Sequence, residues 1–316
     1  MNIRTTTLGL SERMVSQIMS NQSKMLDLQI KMSTQKTVNK PSDNSVAAAQ
    51  ILVLNKQQNN IETYKTNIAT AREQLSMMDS SLGKVIDITQ RASELAVQAS
   101  NETYSEDQLK GMKGELEQIK LAIVDFANTQ YNGQYIFAGN NVASPAYTVQ
   151  PDGSVIYNGS NSAADSQRSI EIMEGVSIPL NVNGVEIFGY YDASVVTASG
   201  VGVGSGLFKA ISDLENALGA SPIDISDISA QIDTIKDGLN TVNNIRTQYG
   251  SYNSKRIDMT EAYLTDLSLS LTEQKSNLED LDLVKALTDL NNQKYAFEAS
   301  LQTTSTSMRL SLIDYM

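Results

Sequence analysis

The fold of this chain is decided by residues 61–99, which read IETYKTNIATAREQLSMMDSSLGKVIDITQRASELAVQA. Mostly apolar residues recur along this stretch at alternating steps of three and four. They are Ile61, Tyr64, Ile68, Ala71, Leu75, Met78, Leu82, Val85, Thr89, Ala92, Ala96 and Ala99. This spacing indicates one face of an α-helix that packs against a partner along its length. Residues 46–101 contain no proline. We therefore predict a single helix of about fifty residues, about 80 Å long at 1.5 Å per residue.

Further helices follow the same spacing. After a turn at residues 101–105, a second helix is predicted antiparallel to the first, on Leu109, Met112, Leu116, Ile119, Ile123 and Phe126. Helical spacing resumes at Leu207–Leu218 and then continues through Ile228, Ile235, Leu239, Val242, Ile245, Tyr249, Tyr252, Leu264, Leu267, Leu271, Leu278 and Leu281. We predict a mainly α fold with a small β-rich insert, in which the N- and C-terminal segments build a long antiparallel helical rod. The residues predicted for the rod core are Ile61, Ile68, Leu75, Leu82, Leu116 and Ile123.

The β-rich insert is predicted between residues 138 and 206, where Gly, Asn, Pro and Ser accumulate. Strands are predicted from short alternating runs at residues 147–150, 155–157, 170–172, 178–182 and 185–188. Asn183-Gly184 is suited to a tight hairpin. Residues 200–206 read GVGVGSG and predict a flexible linker, because no Lys follows as a phosphate-binding loop requires.

Two terminal segments are separated from the rod. Residues 37–45 contain Pro41 and break the first helical pattern, and the last pattern changes register at residues 281–283. Each terminal strip is thin, rich in Met or interrupted by polar residues such as Asn21. An ordinary intramolecular core is the simpler interpretation. We favour marginal helices that become ordered against partners, which makes these strips a predicted assembly interface. Its residues are Met14, Ile18, Met25, Leu28, Met32, Leu287, Leu290, Phe297, Leu301 and Met308.

The sequence thus predicts five segments. They are an N-terminal assembly segment, disordered or coiled coil, at 1–45; the N-terminal half of the rod at 46–137; the surface insert at 138–206; the C-terminal half of the rod at 207–282; and a C-terminal assembly segment at 283–316.

Composition excludes several kinds of function. The chain has 316 residues, no Cys and no His, so thiol, disulfide and imidazole chemistry and the usual zinc sites are excluded. Its net charge of −12 argues against binding to nucleic acid. No apolar run approaches the roughly 20 residues of a membrane-spanning helix, so we expect no membrane insertion.

No active site is predicted. The densest carboxylate cluster is Glu279, Asp280 and Asp282. Successive positions on a helix point in different directions, so a solvated acidic face is favoured over a metal or acid–base site. We predict no catalytic residue, no cofactor and no metal, and hence no enzyme.

Three stretches resemble the flagellin superfamily. They are KPSDN at 40–44, QRASELAVQASN at 90–101 and NTQYNGQYIFAG at 128–139. The second is similar to a helix of the rod that flagellins share with their junction proteins. The third, and SLIDYM at 311–316, are more similar to members of the family that join hook to filament than to flagellin itself.

The resemblance implies a structural subunit of the bacterial flagellum at the junction between hook and filament. It implies export through the flagellar type III apparatus without a cleaved signal peptide, and an extracellular location. The implied partners are other copies of the chain in a ring, the first hook-associated protein, flagellin and an export chaperone on the C-terminal helix. It also implies that the two terminal strips meet within or between subunits. Flagellin or a minor filament subunit is the alternative, and a helical enzyme or membrane-surface adaptor is a third.

Overall fold

The computed structural model describes residues 3–101, 104–159, 168–196, 202–220 and 223–313. Its helices are α1 Ile3–Thr34, α2 Ser45–Ala99, α3 Glu106–Ala127, α4 Gly184–Phe188, α5 Gly206–Gly219, α6 Ile225–Arg246, α7 Asn253–Glu279 and α8 Leu283–Ile313. Its strands are β1 Gln130–Tyr131, β2 Gln134–Tyr135, β3 Tyr147–Val149, β4 Val155–Tyr157, β5 Ser169–Met173, β6 Val176–Pro179, β7 Tyr190–Val196 and β8 Gly202–Ser205. The prediction of long helices with a small β-rich insert is confirmed. The chain forms two compact units, one of residues 1–60 and 265–316 and one of residues 61–264.

The helical core of the unit 61–264 is built on the apolar face of α2. All six residues predicted for the rod core are buried. Polar contacts tie α2 to α3, since the Ser81 hydroxyl donates to the carbonyl of Phe126 at 2.8 Å and Arg91 Nε donates to Glu115 at 2.8 Å. The apolar face of α2 therefore has a partner helix, with hydrogen bonds beside it that help to set the register between the two.

A six-residue π-helix, Thr247–Tyr252, joins α6 to α7. Its position follows from the spacing of the buried residues. Before and after the π-helix the buried residues are seven positions apart, but from Tyr249 to Ile257 the spacing is eight. The two series are Ile228, Ile235, Val242, Tyr249 and then Ile257, Leu264, Leu271. A single turn of π-helix accommodates one extra residue. Tyr252, which the sequence places in an uninterrupted seam, is instead 67% exposed, so that prediction is wrong at this position.

The insert contains a four-stranded antiparallel sheet in the order β3-β4-β7-β8 and the separate hairpin β5-β6, while the hairpin β1-β2 lies before it, at residues 130–135. The first four predicted runs overlap β3, β4, β5 and β6. The hairpin β1-β2 turns at Asn132 and Gly133, whose φ angles of 49° and 75° are the left-handed values that a tight two-residue turn requires.

Three predictions about the insert are wrong. Asn183 and Gly184 do not turn a hairpin, since Asn183 is the N-cap of α4 and Gly184 is its first residue. Residues 185–188 are helical rather than extended, because the Asn183 side chain accepts a hydrogen bond from the amide of Val185 and caps α4. Residues 202–205 of the predicted linker form β8, which pairs with β7. A Cβ atom on Gly204 would lie 2.4 Å from the carbonyl oxygen of Tyr190. Glycine there allows two backbones to approach closely rather than providing flexibility.

An aromatic cluster joins the sheet to the helices. The ring of Tyr147 lies 5.1 Å from Tyr157, 6.0 Å from Phe188 and 4.9 Å from Phe208, measured between centroids. The Tyr147 hydroxyl donates to the carbonyl of Gly189 at 2.9 Å. Burial raises the pKa of Tyr147 well above its ordinary value, so this hydroxyl stays protonated and keeps its role as donor.

A buried ion pair joins two helices, and its lysine also binds the insert. Lys120 on α3 lies 2.5 Å from Glu215 on α5, and both side chains are largely buried. The Lys120 ammonium also donates to the carbonyl of Gly153, in the turn between β3 and β4, at 3.4 Å. Three elements therefore meet at one charged group.

Replacing Lys120 with Met is expected to destabilise the unit 61–264 by about 3–5 kcal/mol, because Glu215 is left buried without its partner. The matched control is Arg91→Met, which removes an exposed ion pair and should cost about 1 kcal/mol or less. Urea denaturation followed by circular dichroism measures both variants. Equal shifts of the two midpoints would contradict the assignment of a buried pair.

Candidate assembly interface

Helices α1 and α8 pack against each other within the unit 1–60 and 265–316. On α1, the residues predicted for the interface are all half-buried, and they are Met14, Ile18, Met25, Leu28 and Met32. The seam between the helices is thin, because none of these five apolar side chains is fully buried.

The face that α8 buries differs from the predicted one. Its buried and half-buried positions between residues 283 and 306 recur at steps of three and four, at Ala286, Leu290, Gln293, Phe297, Ser300 and Thr304. Leu290 and Phe297 belong to the predicted set, whereas Leu287 and Leu301 are 50% and 44% exposed. The side chain of Met308 lies outside the described residues. The predicted apolar strip is thus divided between the seam with α1, which it shares with small and polar residues, and the exposed surface of α8. The assembly role of the ten predicted residues stays a prediction.

Asn21 is the polar position of the α1 seam, and it is fully engaged. Its side chain lies 3.5 Å from Ser300 Oγ as donor and accepts from Gln17 at 3.2 Å. Its backbone carbonyl accepts from the Gln293 side chain at 3.2 Å. A buried Asn at a seam position fixes the register between two helices at some cost in stability. The pair α1–α8 is therefore specified by polar contacts more than by apolar burial.

The connection from α1 to α2 and the connection from α7 to α8 are joined by a short antiparallel bridge. We call this bridge the clasp and define it as residues 35–37 with 279–281. The amide of Thr37 donates to the carbonyl of Glu279 at 2.7 Å, and the amide of Leu281 donates to Gln35 at 2.9 Å. Lys36 also forms an ion pair with Glu279 at 2.5 Å. The clasp brings the ends of α1 and α7 together, at the point where α8 begins.

The carboxylates that the sequence groups together have separate structural partners. Glu279 binds Lys36 and Lys275, Asp280 hydrogen-bonds to Ser276, and Asp282 caps α8. Within the described ranges, no group of three acidic residues is placed to hold a metal ion. At the other break, the Asp43 carboxylate accepts hydrogen bonds from the amides of Lys40 and Asn39, which lower its pKa. These carboxylates therefore stabilise the two connections between helices, α1 to α2 and α7 to α8.

The pair α1–α8 also leaves large apolar side chains exposed on each helix, and we call this set the outer face. It consists of Val15, Met19, Leu26 and Ile30 on α1 and Leu283, Val284, Leu287, Tyr295 and Leu301 on α8. Exposed apolar residues in this number are candidates for association with other molecules. A groove of about 580 Å³ on the same unit is lined by Ala49, Gln50, Val53, Leu54, Gln274, Asn277 and Leu278. The unit therefore exposes apolar surface on α1 and α8 and also in a groove between α2 and α7. Across the described residues, no helix has the length and hydropathy to span a membrane.

Two family models match the chain. The bacterial flagellin N-terminal helical region matches residues 6–142, and the bacterial flagellin C-terminal helical region matches residues 232–316. Together they cover more than half of the sequence. The chain belongs to the flagellin superfamily. The predicted family is confirmed, and so is a structural role in the bacterial flagellum.

Individual members of the superfamily match nearly the whole chain. Flagellar hook-associated protein 3 of Salmonella typhimurium and that of Escherichia coli are each 27% identical, over 98% of this chain and 98% of theirs. Flagellin of Listeria monocytogenes is 19% identical over 96% of this chain and 95% of its own.

Solved structures share the fold. Flagellar hook-associated protein 3 from Legionella pneumophila has a TM-score of 0.62 at 14% identity, covering 72% of this chain and 98% of that one. The flagellar junction protein FlgL from the same organism has a TM-score of 0.56 at 15% identity, covering 72% and 100%. At this identity the likeness shows the fold alone.

Replacing Leu290 with Asp is expected to loosen the pair α1–α8, because it places a charge in the thin seam. A half-buried Leu contributes about 1 kcal/mol or more, so amide hydrogen exchange in residues 12–34 and 284–304 should accelerate roughly 10-fold. Mass spectrometry of exchanged peptides measures this. In the matched control Leu287→Asp, which alters an exposed side chain three positions away, exchange should stay unchanged. Acceleration in both variants would contradict the assigned face.

Proposed function

We propose that this chain is an extracellular structural subunit that forms the junction between the flagellar hook and the filament. The full-length similarity to two proteins named flagellar hook-associated protein 3 carries this proposal, because it spans 98% of both chains, including the insert. The role is mechanical rather than catalytic. The partners we propose are other copies of the chain, the first hook-associated protein and flagellin.

The outer face of the pair α1–α8 is the surface we propose for bonding to neighbouring subunits. Met19 and Leu26 on α1 and Leu287 and Leu301 on α8 are each at least 44% exposed. Burying such side chains gains roughly 25 cal/mol per Å² of apolar surface. The seam with α1 uses only a thin strip of α8, so neighbours have access to the remaining face. In this arrangement the seam residues Met14, Ile18, Met25, Leu28, Met32, Leu290 and Phe297 shape the pair, and the outer face binds the neighbours.

We further propose that the chain reaches its place by flagellar type III export without a cleaved signal peptide. A cytoplasmic chaperone would bind α8 before export. The exposed apolar residues of α8 support this step, because an isolated helix of this kind would otherwise associate prematurely.

The alternative is a flagellin or a minor filament subunit. The similarity to Listeria monocytogenes flagellin, over 96% of the chain at 19% identity, favours this second candidate. The two functions differ in copy number, because a filament subunit is needed along the whole filament and a junction subunit only at its base.

A strain that lacks this chain is expected to build complete hooks, attach no filament and release monomeric flagellin into the medium. Electron microscopy of isolated hook–basal bodies and gel analysis of the medium measure these outcomes. Immunolabelling should place the protein at the distal end of the hook. Attached filaments in the deletion strain, or label distributed along filaments, would argue for the alternative.

Replacing Leu301 with Asp is expected to leave the monomer folded but to abolish its incorporation, since the charge falls on the outer face. Circular dichroism checks the monomer, and motility plus immunoblots of purified flagella check incorporation. The neighbouring exposed residue offers the control Gln302→Asp, which should incorporate normally. Full motility of the Leu301 variant would remove the role assigned to the outer face.

A further inference from the structure

The helical segment around the π-helix carries two apolar faces that differ by one residue in phase. The face that is buried contains the apolar residues Ile257 and Leu264, each 1% exposed, together with the polar Asn253 at 5%. The other contains Tyr252, Met259 and Tyr263, which are 67%, 75% and 55% exposed. A helix with one environment needs only one such face.

The exposed face, and not the buried one, continues the seam of α6 in phase. Counting forward in steps of three and four from Val242 gives Ile245, Tyr249, Tyr252, Arg256, Met259 and Tyr263. An uninterrupted α-helix would therefore present Tyr252, Met259 and Tyr263 to the core. The π-helix adds one residue, which turns the segment from Asn253 onwards by about 100° and advances it by about 1.5 Å relative to that arrangement.

Contacts on both sides of the π-helix hold the observed register to α2. Before it, Arg246 forms two hydrogen bonds to Asp79, at 2.8 and 3.1 Å. After it, Arg72 donates to Asp258 and Glu261, both at 2.7 Å. The second contact is exposed, and exposed ion pairs contribute little to stability. The register after the π-helix is therefore held mainly by the burial of Ile257 and Leu264.

Space for a rearrangement lies beside the π-helix. A pocket of about 430 Å³, open to solvent, is lined by Arg72, Leu75, Ser76, Asp79, Gly250, Ser251, Ser254 and Ile257. Close packing on every side would resist a change of register. The pocket leaves room beside the helix for a side chain that enters from its present outside.

We propose that residues 247–264 form a two-register switch. In the observed register, the π-helix at Thr247–Tyr252 buries Ile257 and Leu264. In the second register, this segment is regular α-helix, the extra residue has moved beyond Leu264, and Tyr252, Met259 and Tyr263 are buried. The second register also moves the aliphatic part of the Arg256 side chain towards the core. The second register is therefore disfavoured in the isolated chain. Contact with a neighbouring subunit stabilises it. This inference rests on the proposed function, because a subunit between unlike neighbours has to present more than one arrangement.

Cysteine labelling distinguishes the two registers, since the chain has no Cys of its own. In the observed register, Met259→Cys should react with a maleimide quickly and Leu264→Cys slowly. Each probe is then placed in the double variant Arg256→Leu with Ile257→Gln, which favours the second register. There, Leu264→Cys should react at least about tenfold faster and Met259→Cys at least about tenfold slower, with unchanged helix content by circular dichroism. Unchanged rates, or both probes fast with loss of helix, would overturn the switch.

Deletion of Ser251 tests whether the switch is used. Removing one residue puts Ile257 seven positions after Tyr249 and locks the observed packing without a π-helix. This variant should unfold at the same temperature as the natural chain or higher, and it should fail to enter flagella. The control deletion of Ala262, in regular helix, should unfold at a lower temperature because it moves Leu264 out of phase.

Normal incorporation of the Ser251 deletion would show that assembly needs no second register. Equal destabilisation by the two deletions would show that the π-helix does not absorb a phase offset. Neither outcome changes what is expected of the strain that lacks the whole chain. The switch can therefore fail while the proposed junction function stands.

Discussion

The apolar face of α2 between Ile61 and Ala99 has to be kept from water along its whole length, and the unit 61–264 is organised around that requirement. Twelve positions at steps of three and four make a stripe that only other helices of matching phase can cover. The partners are held by contacts at the edges of the stripe, such as Ser81 with Phe126 and Asp79 with Arg246. Where the phase of a partner does not match, the backbone yields, and the π-helix before Asn253 is the result.

The unit 1–60 and 265–316 is built on a different balance. Its seam between α1 and α8 contains half-buried Met and Leu side chains around a fully engaged Asn21. The clasp joins the α1–α2 connection to the α7–α8 connection through backbone hydrogen bonds rather than apolar burial. Polar contacts give the pair α1–α8 a defined register. Because the pair buries few of its apolar side chains, exposed apolar surface remains for contact with other molecules. A subunit that has to remain separate before assembly and bind firmly afterwards benefits from this division between a stable unit and a thinly packed one.

The insert shows how an anchor of charge and aromatic rings attaches a small sheet to helices. Tyr147 and Phe208 bring β3 and α5 together, and Lys120 reaches Glu215 and the turn at Gly153. A four-stranded sheet of short strands has little core of its own. Its stability therefore depends on the helices beneath it.

The sequence by itself determined the long helices, the breaks near Pro41 and Leu281, the insert and the family, because periodicity and proline act locally. It also determined which face of α2 and α3 is buried, since a strong stripe leaves one choice of face. Only the tertiary structure decided the face of α8, the strand at residues 202–205 and the π-helix. Each of these depends on what lies opposite. Ser300 is half-buried because Asn21 of α1 lies within hydrogen-bonding distance of it, and Gly204 is extended because the backbone of Tyr190 lies against it. Tyr252 is exposed because two distant seams differ by one residue, an offset that no local pattern reveals.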